Sequence, residues 1–210
     1  MKLRLFTLLC LCIAVQTTRA QQRWTWINGT TSVNVNGNYG ALGIPSGTNS
    51  PGTRSGAATW TDAQGNFWIF GGRGNASSST GLLNDMWRYN PSSNQWTWMG
   101  GSNDPNAEGT YGILGLPLFQ QPGAREHSAA WVDGDGNFWM FGGSGYAQND
   151  NNSGLLNDLW RYTPSTNTWT WVGGTFRLNE QGEYGDLGDP DRDNLPGGRN
   201  MATAWLDGNG

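Results

Sequence analysis

The sequence predicts an all-β protein made of repeated four-stranded antiparallel sheets. Two features of composition support this class: the 210 residues include 13 Trp and 33 Gly, and almost no segment favours a helix. Aromatic side chains favour strands, whereas glycine favours the turns between them. A third observation is that the chain repeats itself. Together these features exclude a helical bundle.

The internal repeat has a period of just over seventy residues. Segments 54–60, 125–131 and 199–205 each begin with Arg and end with Trp, at spacings of 71 and 74 residues. Phe-Trp-Ile-Phe-Gly-Gly at 67–72 returns as Phe-Trp-Met-Phe-Gly-Gly at 138–143. The other matching pairs are 81–89 with 154–162 and 96–98 with 169–171. Such a repeat predicts one structural module per unit.

Each unit contains four short runs of β-branched and aromatic residues, separated by Gly, Asn, Asp and Pro, which is typical of an antiparallel meander. The strands predicted for the first unit are 55–61, 67–71, 85–90 and 95–99. Those predicted for the second unit are 126–132, 138–142, 158–163 and 168–172.

The repeat resembles the kelch motif. A Gly-Gly pair closes the predicted second strand, and six residues separate Tyr89 from Trp96 and Tyr162 from Trp169. The resemblance implies a β-propeller, with blades around an axis and the first strand innermost. The glycines permit a tight bend, and the Tyr and Trp side chains can fill the space between blades. Kelch repeats run to about 50 residues, so the surplus here is loop, at 29–52, 100–123 and 173–197.

The fold predicted from this resemblance is a partial kelch β-propeller with two complete four-stranded antiparallel blades and an orphan strand at each end. Residues 21–53 hold an isolated fourth strand and a long loop, 54–123 and 124–198 are blades, and 199–210 begin a third. Propellers close with about four to eight blades. We therefore expect a C-terminally truncated fragment, completed by further blades of the full-length chain.

The N-terminus, residues 1–20, has the features of a signal peptide. A positive head at Lys2 and Arg4 precedes an apolar stretch at 5–15 and a small-residue cleavage site ending at Ala20. The expected location is therefore secreted, periplasmic or cell-surface. The apolar stretch is too short to span a membrane, so no membrane insertion is expected.

The mature composition restricts the possible partners. Both cysteines lie within the signal, which leaves no thiol for a disulfide, metal site or nucleophile. Nine arginines, no lysine and sixteen acidic residues remain, and this acidic balance argues against nucleic acid as a partner. No cofactor is predicted.

Successive connections in a meander alternate between the two ends of the sheet, so the 2–3 and 4–1 connections share one face. Both are predicted to be long, and binding residues concentrate on loops held by a rigid framework. One interpretation is a recognition surface on this face. The alternative is that the loops cover the outer rim of the propeller.

The 4–1 loops resemble one another. Each contains Tyr-Gly, Leu-Gly and a closing Pro-Gly-x-Arg. Tyr and Arg are common in interfaces, which makes them candidate ligand-binding residues; the alternative is structural, with the arginines paired to Asp85 and Asp158. The candidates are Tyr39, Tyr111, Tyr184, Arg54, Arg125 and Arg199.

Two acidic clusters have oxygen ligands at alternate positions, as calcium loops do. Residues 133–137 align with 62–66, where the middle acid is absent, so a hairpin turn is the better interpretation. Asp189, Asp191 and Asp193 form the weaker calcium candidate, because a proline interrupts them and no helix flanks them.

Catalytic residues are scarce. His127 is the only histidine, and Gly56 and Met201 occupy its place in the other units, so a structural role is expected. Glu126 should point to the opposite side of the strand and not pair with it. The kelch resemblance extends to galactose oxidase, whose copper-radical site needs a Cys-linked Tyr and histidine ligands that this mature chain lacks.

The leading functional hypothesis is an extracellular or cell-surface scaffold that binds a protein or glycan ligand through the long 2–3 and 4–1 loops. One alternative is a galactose-oxidase-like enzyme domain with its active site outside this fragment. Another is a structural spacer in a larger surface protein.

Overall fold

The computed structural model describes residues 24–207, which form ten β-strands in two antiparallel sheets and contain no helix. The first blade consists of β1 (Arg54–Ser55), β2 (Ala58–Thr61), β3 (Phe67–Asn75), β4 (Thr80–Asn90) and β5 (Gln95–Gly100). The second consists of β6 (Arg125–Glu126), β7 (Ala129–Val132), β8 (Phe138–Gly145), β9 (Gly154–Thr163) and β10 (Thr168–Gly173). The all-β class and the meander order are confirmed.

The inner strand of each blade is broken into two pieces. Gly56 and His127 interrupt it with φ values of 64° and 57°, and Met201 has a φ of 55° at the equivalent position. The His127 N–H donates to the Gly56 carbonyl at 2.8 Å, and the Met201 N–H donates to the His127 carbonyl at 2.9 Å. The same main-chain bond thus joins each inner strand to the next.

The second and third strands are longer than predicted. They continue to Asn75 and back from Thr80, so the first 2–3 connection is only 76–79 and the expectation of long 2–3 loops is wrong there. The second connection, 146–153, is longer. Although residues 72–84 read as loop because they are rich in Gly, Ser and Asn, the ladder between β3 and β4 holds most of them in register.

The glycine pair does not end the second strand as predicted. Gly71 and Gly72 lie in a bulge within β3, with φ values of 66° and 94°. A Cβ on Gly71 would lie 2.7 Å from the Arg125 carbonyl oxygen and 2.8 Å from that of Leu83. The missing side chain therefore lets the inner strand of the next blade approach closely.

Aromatic side chains fill the space between the blades. Trp60 stacks on Phe138 with ring centroids 5.3 Å apart, and Trp68 packs against Tyr162 at 5.6 Å. Trp169 is buried against Trp60 and Phe70, as predicted for a residue wedged between blades. Trp96 is only half-buried.

The two ends do not form strands. Residues 24–27 and 200–207 have no ladder partner among the described residues, so the predicted orphan strands are not seen as strands. Residues 27–30 nevertheless lie beside the first blade, where the Asn28 amide donates to the Asn94 side chain at 2.7 Å. The predicted signal peptide lies outside the described residues. Within 24–207, no helix has the length and apolar character needed to cross a membrane.

Candidate functional site

The first 4–1 loop is anchored to its blade by one buried carboxylate. Asp85 accepts a bidentate pair of hydrogen bonds from Arg54, at 2.6 and 2.7 Å. The hydroxyl of Tyr39 and the indole N–H of Trp87 donate to the same carboxylate, both at 2.7 Å. Because loop, inner strand and third strand each contribute a donor, this carboxylate fixes the loop to the sheet.

The second blade repeats this anchor. Arg125 donates twice to Asp158, at 2.7 Å each, and Tyr111 and Trp160 donate at 2.5 and 2.6 Å. Burial and the Asp158 charge raise the pKa of Tyr111 well above its usual range. Burial alone would lower the pKa of Arg125, but the Asp158 carboxylate raises it. The predicted pairing of the arginines with Asp85 and Asp158 is confirmed.

These contacts place four of the six candidate ligand-binding residues inside the molecule. The side chains of Tyr39, Tyr111, Arg54 and Arg125 are engaged in the anchors. These contacts fit the alternative interpretation, in which the four residues have a structural role.

The other two candidates lie at the surface. The Tyr184 side chain is 70 % exposed, and Arg199 donates to the Gly197 carbonyl at 3.0 Å, as Arg54 does to Gly52. No counterpart of Asp85 lies opposite them within residues 24–207.

Beyond its anchor, each loop runs along the outer strand of the blade that follows it. The Gly43 N–H donates to the Trp98 carbonyl of β5 at 2.8 Å, and the Gly115 N–H donates to the Trp171 carbonyl of β10 at 2.8 Å. The loops therefore cover the outer rim, as the alternative interpretation expected. Where they contact the edge strand, at Trp98 and Trp171, they also protect it from pairing with other chains.

The loop tips carry the most notable surface of the described residues. In the second loop, five large apolar side chains are exposed within seven consecutive residues, and no charged residue lies among them. They are Ile113, Leu114, Leu116, Leu118 and Phe119. The Phe119 side chain is 97 % exposed, and its φ is 53°, a conformation uncommon for a bulky residue. We call residues 113–119 the apolar tip.

The three loops differ where they are exposed and agree where they are buried. The shared Tyr and Arg form the anchors of the first two loops, whereas Leu118 of the second has Ser46 and Asp191 as its counterparts. The third tip, 186–193, carries four Asp and one Arg where the second is apolar. Sequence reasoning focused on the shared residues and missed the apolar tip. Its signal was an uninterrupted apolar run inside a glycine-rich loop.

A groove of about 540 Å³ lies between the blades beside the apolar tip. Met99 and Gly101 of the first blade form one wall, and Leu118 and Phe119 form another. Trp169 lies in the floor with 6 % of its surface exposed. Every described residue that lines the groove is uncharged.

The calcium candidate does not have the geometry of a metal site. The Asp191 carboxylate accepts the N–H of Asp193 at 2.8 Å as part of a turn, and Arg192 lies 3.6 Å from the Asp193 carboxylate. Within residues 24–207, no three His, Cys, Asp or Glu side chains are grouped so as to hold a metal ion. The 133–137 segment is a hairpin turn, in which Asp133 accepts hydrogen bonds from the Asp135 and Asn137 backbones.

The expectation that Glu126 and His127 point apart is wrong. The Glu126 carboxylate lies 3.8 Å from His127 Nδ1 and pairs with Arg73 of the first blade at 3.0 Å. Strand alternation fails because His127 adopts the left-handed conformation and interrupts the pleat.

Comparison with known proteins supports the kelch resemblance of the repeats. Residues 64–97 and 127–175 each match a model of the Kelch motif. A solved structure titled "Structure of YjhT" aligns with 61 % of this chain and 40 % of its own, with 19 % identity and a TM-score of 0.42. This chain thus spans less than half of that protein's length. No curated protein matches the chain.

Proposed function

We propose that this chain is an exported protein-interaction scaffold whose contact surface is the apolar tip at 113–119. Kelch motifs in general mediate protein–protein interactions. The observation that carries the proposal is the exposure of five apolar side chains on a loop whose base is fixed by a buried ion pair. A contiguous apolar patch of this kind marks an interaction site in soluble proteins.

The chemistry of the tip favours a protein over a glycan as the ligand. Ile113, Leu116 and Leu118 offer aliphatic surface and no hydrogen-bonding group, whereas a sugar hydroxyl left without a partner is costly to desolvate. Phe119 is a large exposed ring of the type that anchors interfaces. A glycan ligand would instead require polar side chains beside that ring.

Export is the second part of the proposal, because the positive head, short apolar stretch and cleavage site at residues 1–20 have the order of a signal peptide. N-terminal sequencing of the protein recovered from outside the cytoplasm tests it. A first residue of Gln21 is expected. Recovery of the chain in the cytoplasm with Met1 in place would contradict export.

Site-specific photo-crosslinking tests the contact surface. A photoreactive phenylalanine analogue at Phe119 should form adducts with a partner protein on the producing cells, and Leu116→Ser should abolish them. The same analogue at Ser92, an exposed position in the turn before β5, is the matched control. Equal adducts from both positions, or none from Phe119, would contradict the proposal.

A further inference from the structure

In the first blade, the preceding 4–1 loop covers the free edge of the outer strand, β5. In β5, the carbonyls of Trp96 and Trp98 point away from β4 and accept hydrogen bonds from the preceding loop. The Ser46 N–H donates to Trp96 at 3.3 Å, and the Asn49 amide donates to the same carbonyl at 3.1 Å. Residues 43–46 thus lie against β5, and Ser46 forms an isolated antiparallel bridge with Trp96.

In the second blade the corresponding contact is missing. Trp171 is still covered, because Gly115 donates to its carbonyl and Gln120 accepts its N–H. Trp169 lies two residues earlier, so its N–H and C=O also point outward. Leu118 occupies the place of Ser46 but donates its N–H to the Leu116 carbonyl at 2.9 Å, not to the strand.

The difference has a simple cause in the length of the loop. Pro45 and Asn49 enclose three residues, whereas their counterparts Pro117 and Gln120 enclose two. The shorter chain must turn more tightly to reach its anchor, which places Phe119 in the left-handed conformation and moves Leu118 away from the strand. Among the described residues, no group replaces Ser46 at the Trp169 carbonyl.

The uncovered edge opens into the groove beside the apolar tip, and the groove determines what can occupy it. An outward N–H and C=O on the same residue are complementary to the backbone of an extended chain. The lining carries no charged side chain, so a charged side chain would lose its hydration there without gaining a counter-charge. The occupant must therefore be extended and uncharged.

We propose that the edge of β10 at Trp169 binds an extended, uncharged peptide segment of a partner protein, which adds to the sheet as a further strand. Its backbone hydrogen-bonds to Trp169, and its apolar side chains pack between Met99 and the Leu118–Phe119 wall. This mode rests on the proposed function, since it specifies how the partner engages the same surface. The first blade, whose edge is closed by Ser46, has no such site.

A phage-displayed library of short random peptides, selected on the full chain, tests the mode of binding. A variant in which Leu118-Phe119 is replaced by Ser-Gly-Thr, the sequence of the first loop, should close the edge and weaken the selected peptides by at least about tenfold. Unchanged affinity, or the absence of any enriched peptide, would overturn the inference.

Backbone N-methylation of a selected peptide tests the inference on the unaltered protein. A strand has a period of two, so methylation at one set of alternate amides should abolish binding, whereas methylation at the other set should not. Equal tolerance of both sets would overturn strand addition and leave the apolar tip as an ordinary contact surface. These results can be distinguished from failure of the proposed function, which would appear as the absence of crosslinks from Phe119.

Discussion

Arg125 and Asp158 form a bidentate ion pair from which water is excluded, with side-chain exposures of 1 % and 0 %. The pair joins β6, the inner strand of the second blade, to β9, its third strand. The hydroxyl of Tyr111 binds the same carboxylate, so the pair also determines where the loop that bears the apolar tip begins. The tip is therefore mounted on a rigid base.

Removing one member of this pair should be strongly destabilising. Asp158→Asn leaves the buried Arg125 without a counter-charge, and we expect a loss of about 3–5 kcal/mol in the free energy of unfolding. Urea denaturation followed by tryptophan fluorescence measures it. The control is Arg73→Ala, which removes a half-exposed ion pair with Glu126 and should cost at most about 1 kcal/mol. Equal losses would contradict the assigned role.

Trp169 and Trp96, which occupy equivalent positions in the two blades, should differ in their contributions to stability. Trp169→Ala removes a buried ring that packs on Phe70 and Trp60, and we expect a cost of about 3–5 kcal/mol. Trp96→Ala should cost less, because Trp96 is only half-buried in the described residues. Chemical denaturation of both variants measures the difference. A larger loss for Trp96→Ala would be inconsistent with this packing.

Alkaline conditions should destabilise the protein above about pH 10. Burial and the nearby Asp85 and Asp158 charges raise the pKa of Tyr39 and Tyr111 above the ordinary value of 10.0. The unfolded chain therefore loses these protons first, so stability is fully present below pH 10 and falls as pH rises. Denaturation midpoints across pH 8–12 should fall less steeply for Tyr111→Phe than for the wild type. An unchanged slope would refute the assignment.

Acid conditions should weaken the hairpin turns of the face opposite the loops. Burial raises the pKa of Asp62, but hydrogen bonds from Asn66 and Trp68 outweigh it and lower the pKa below 3.8. The unfolded state therefore binds a proton first, so this contribution is present above that pH and is lost as pH falls. The Asp62→Asn variant should be less stable than the wild type at pH 6, and the difference in free energy of unfolding between them should become smaller as pH falls to 3.

The exposed Asp135 provides the matched control for that experiment. It lies in the equivalent turn of the second blade, where Asp133 accepts the hydrogen bonds. Asp135→Asn removes one negative charge from this turn without removing the acceptor of its hydrogen bonds. A pH profile matching that of Asp62→Asn would show that general charge, not the turn, is responsible.

The sequence predicted the sheets well because their determinants are local. Alternating aromatic residues and the recurring Tyr and Trp specify strands 3 and 4; strand 4 is found at nearly the predicted position, and strand 3 ends at the predicted residue in both blades. The extent of β3 and β4 was not predictable in the same way. Residues such as Arg73 and Asn75 have no strand preference of their own and are ordered by the ladder to Leu82 and Thr80.

The site was harder to predict than the fold, because it depends on how the loops return to the sheet. The partnership of Arg54 with Asp85 followed from the chemistry of the two side chains. The burial of Tyr39 did not, since a tyrosine in a glycine-rich loop gives no local sign that it folds back onto Trp87. The open edge at Trp169 depends on a single residue of loop length, which alters no motif.

Main-chain hydrogen bonds at Gly56, His127 and Met201 join successive inner strands, so this junction does not depend on which side chain occupies the position. Because the contact uses only backbone N–H and C=O groups, three unrelated side chains occupy the same position without altering the junction. Each unit can therefore carry a hydrogen, an imidazole or a thioether at this position. The side chain at this position is thus free to differ from unit to unit while the main-chain junction stays constant.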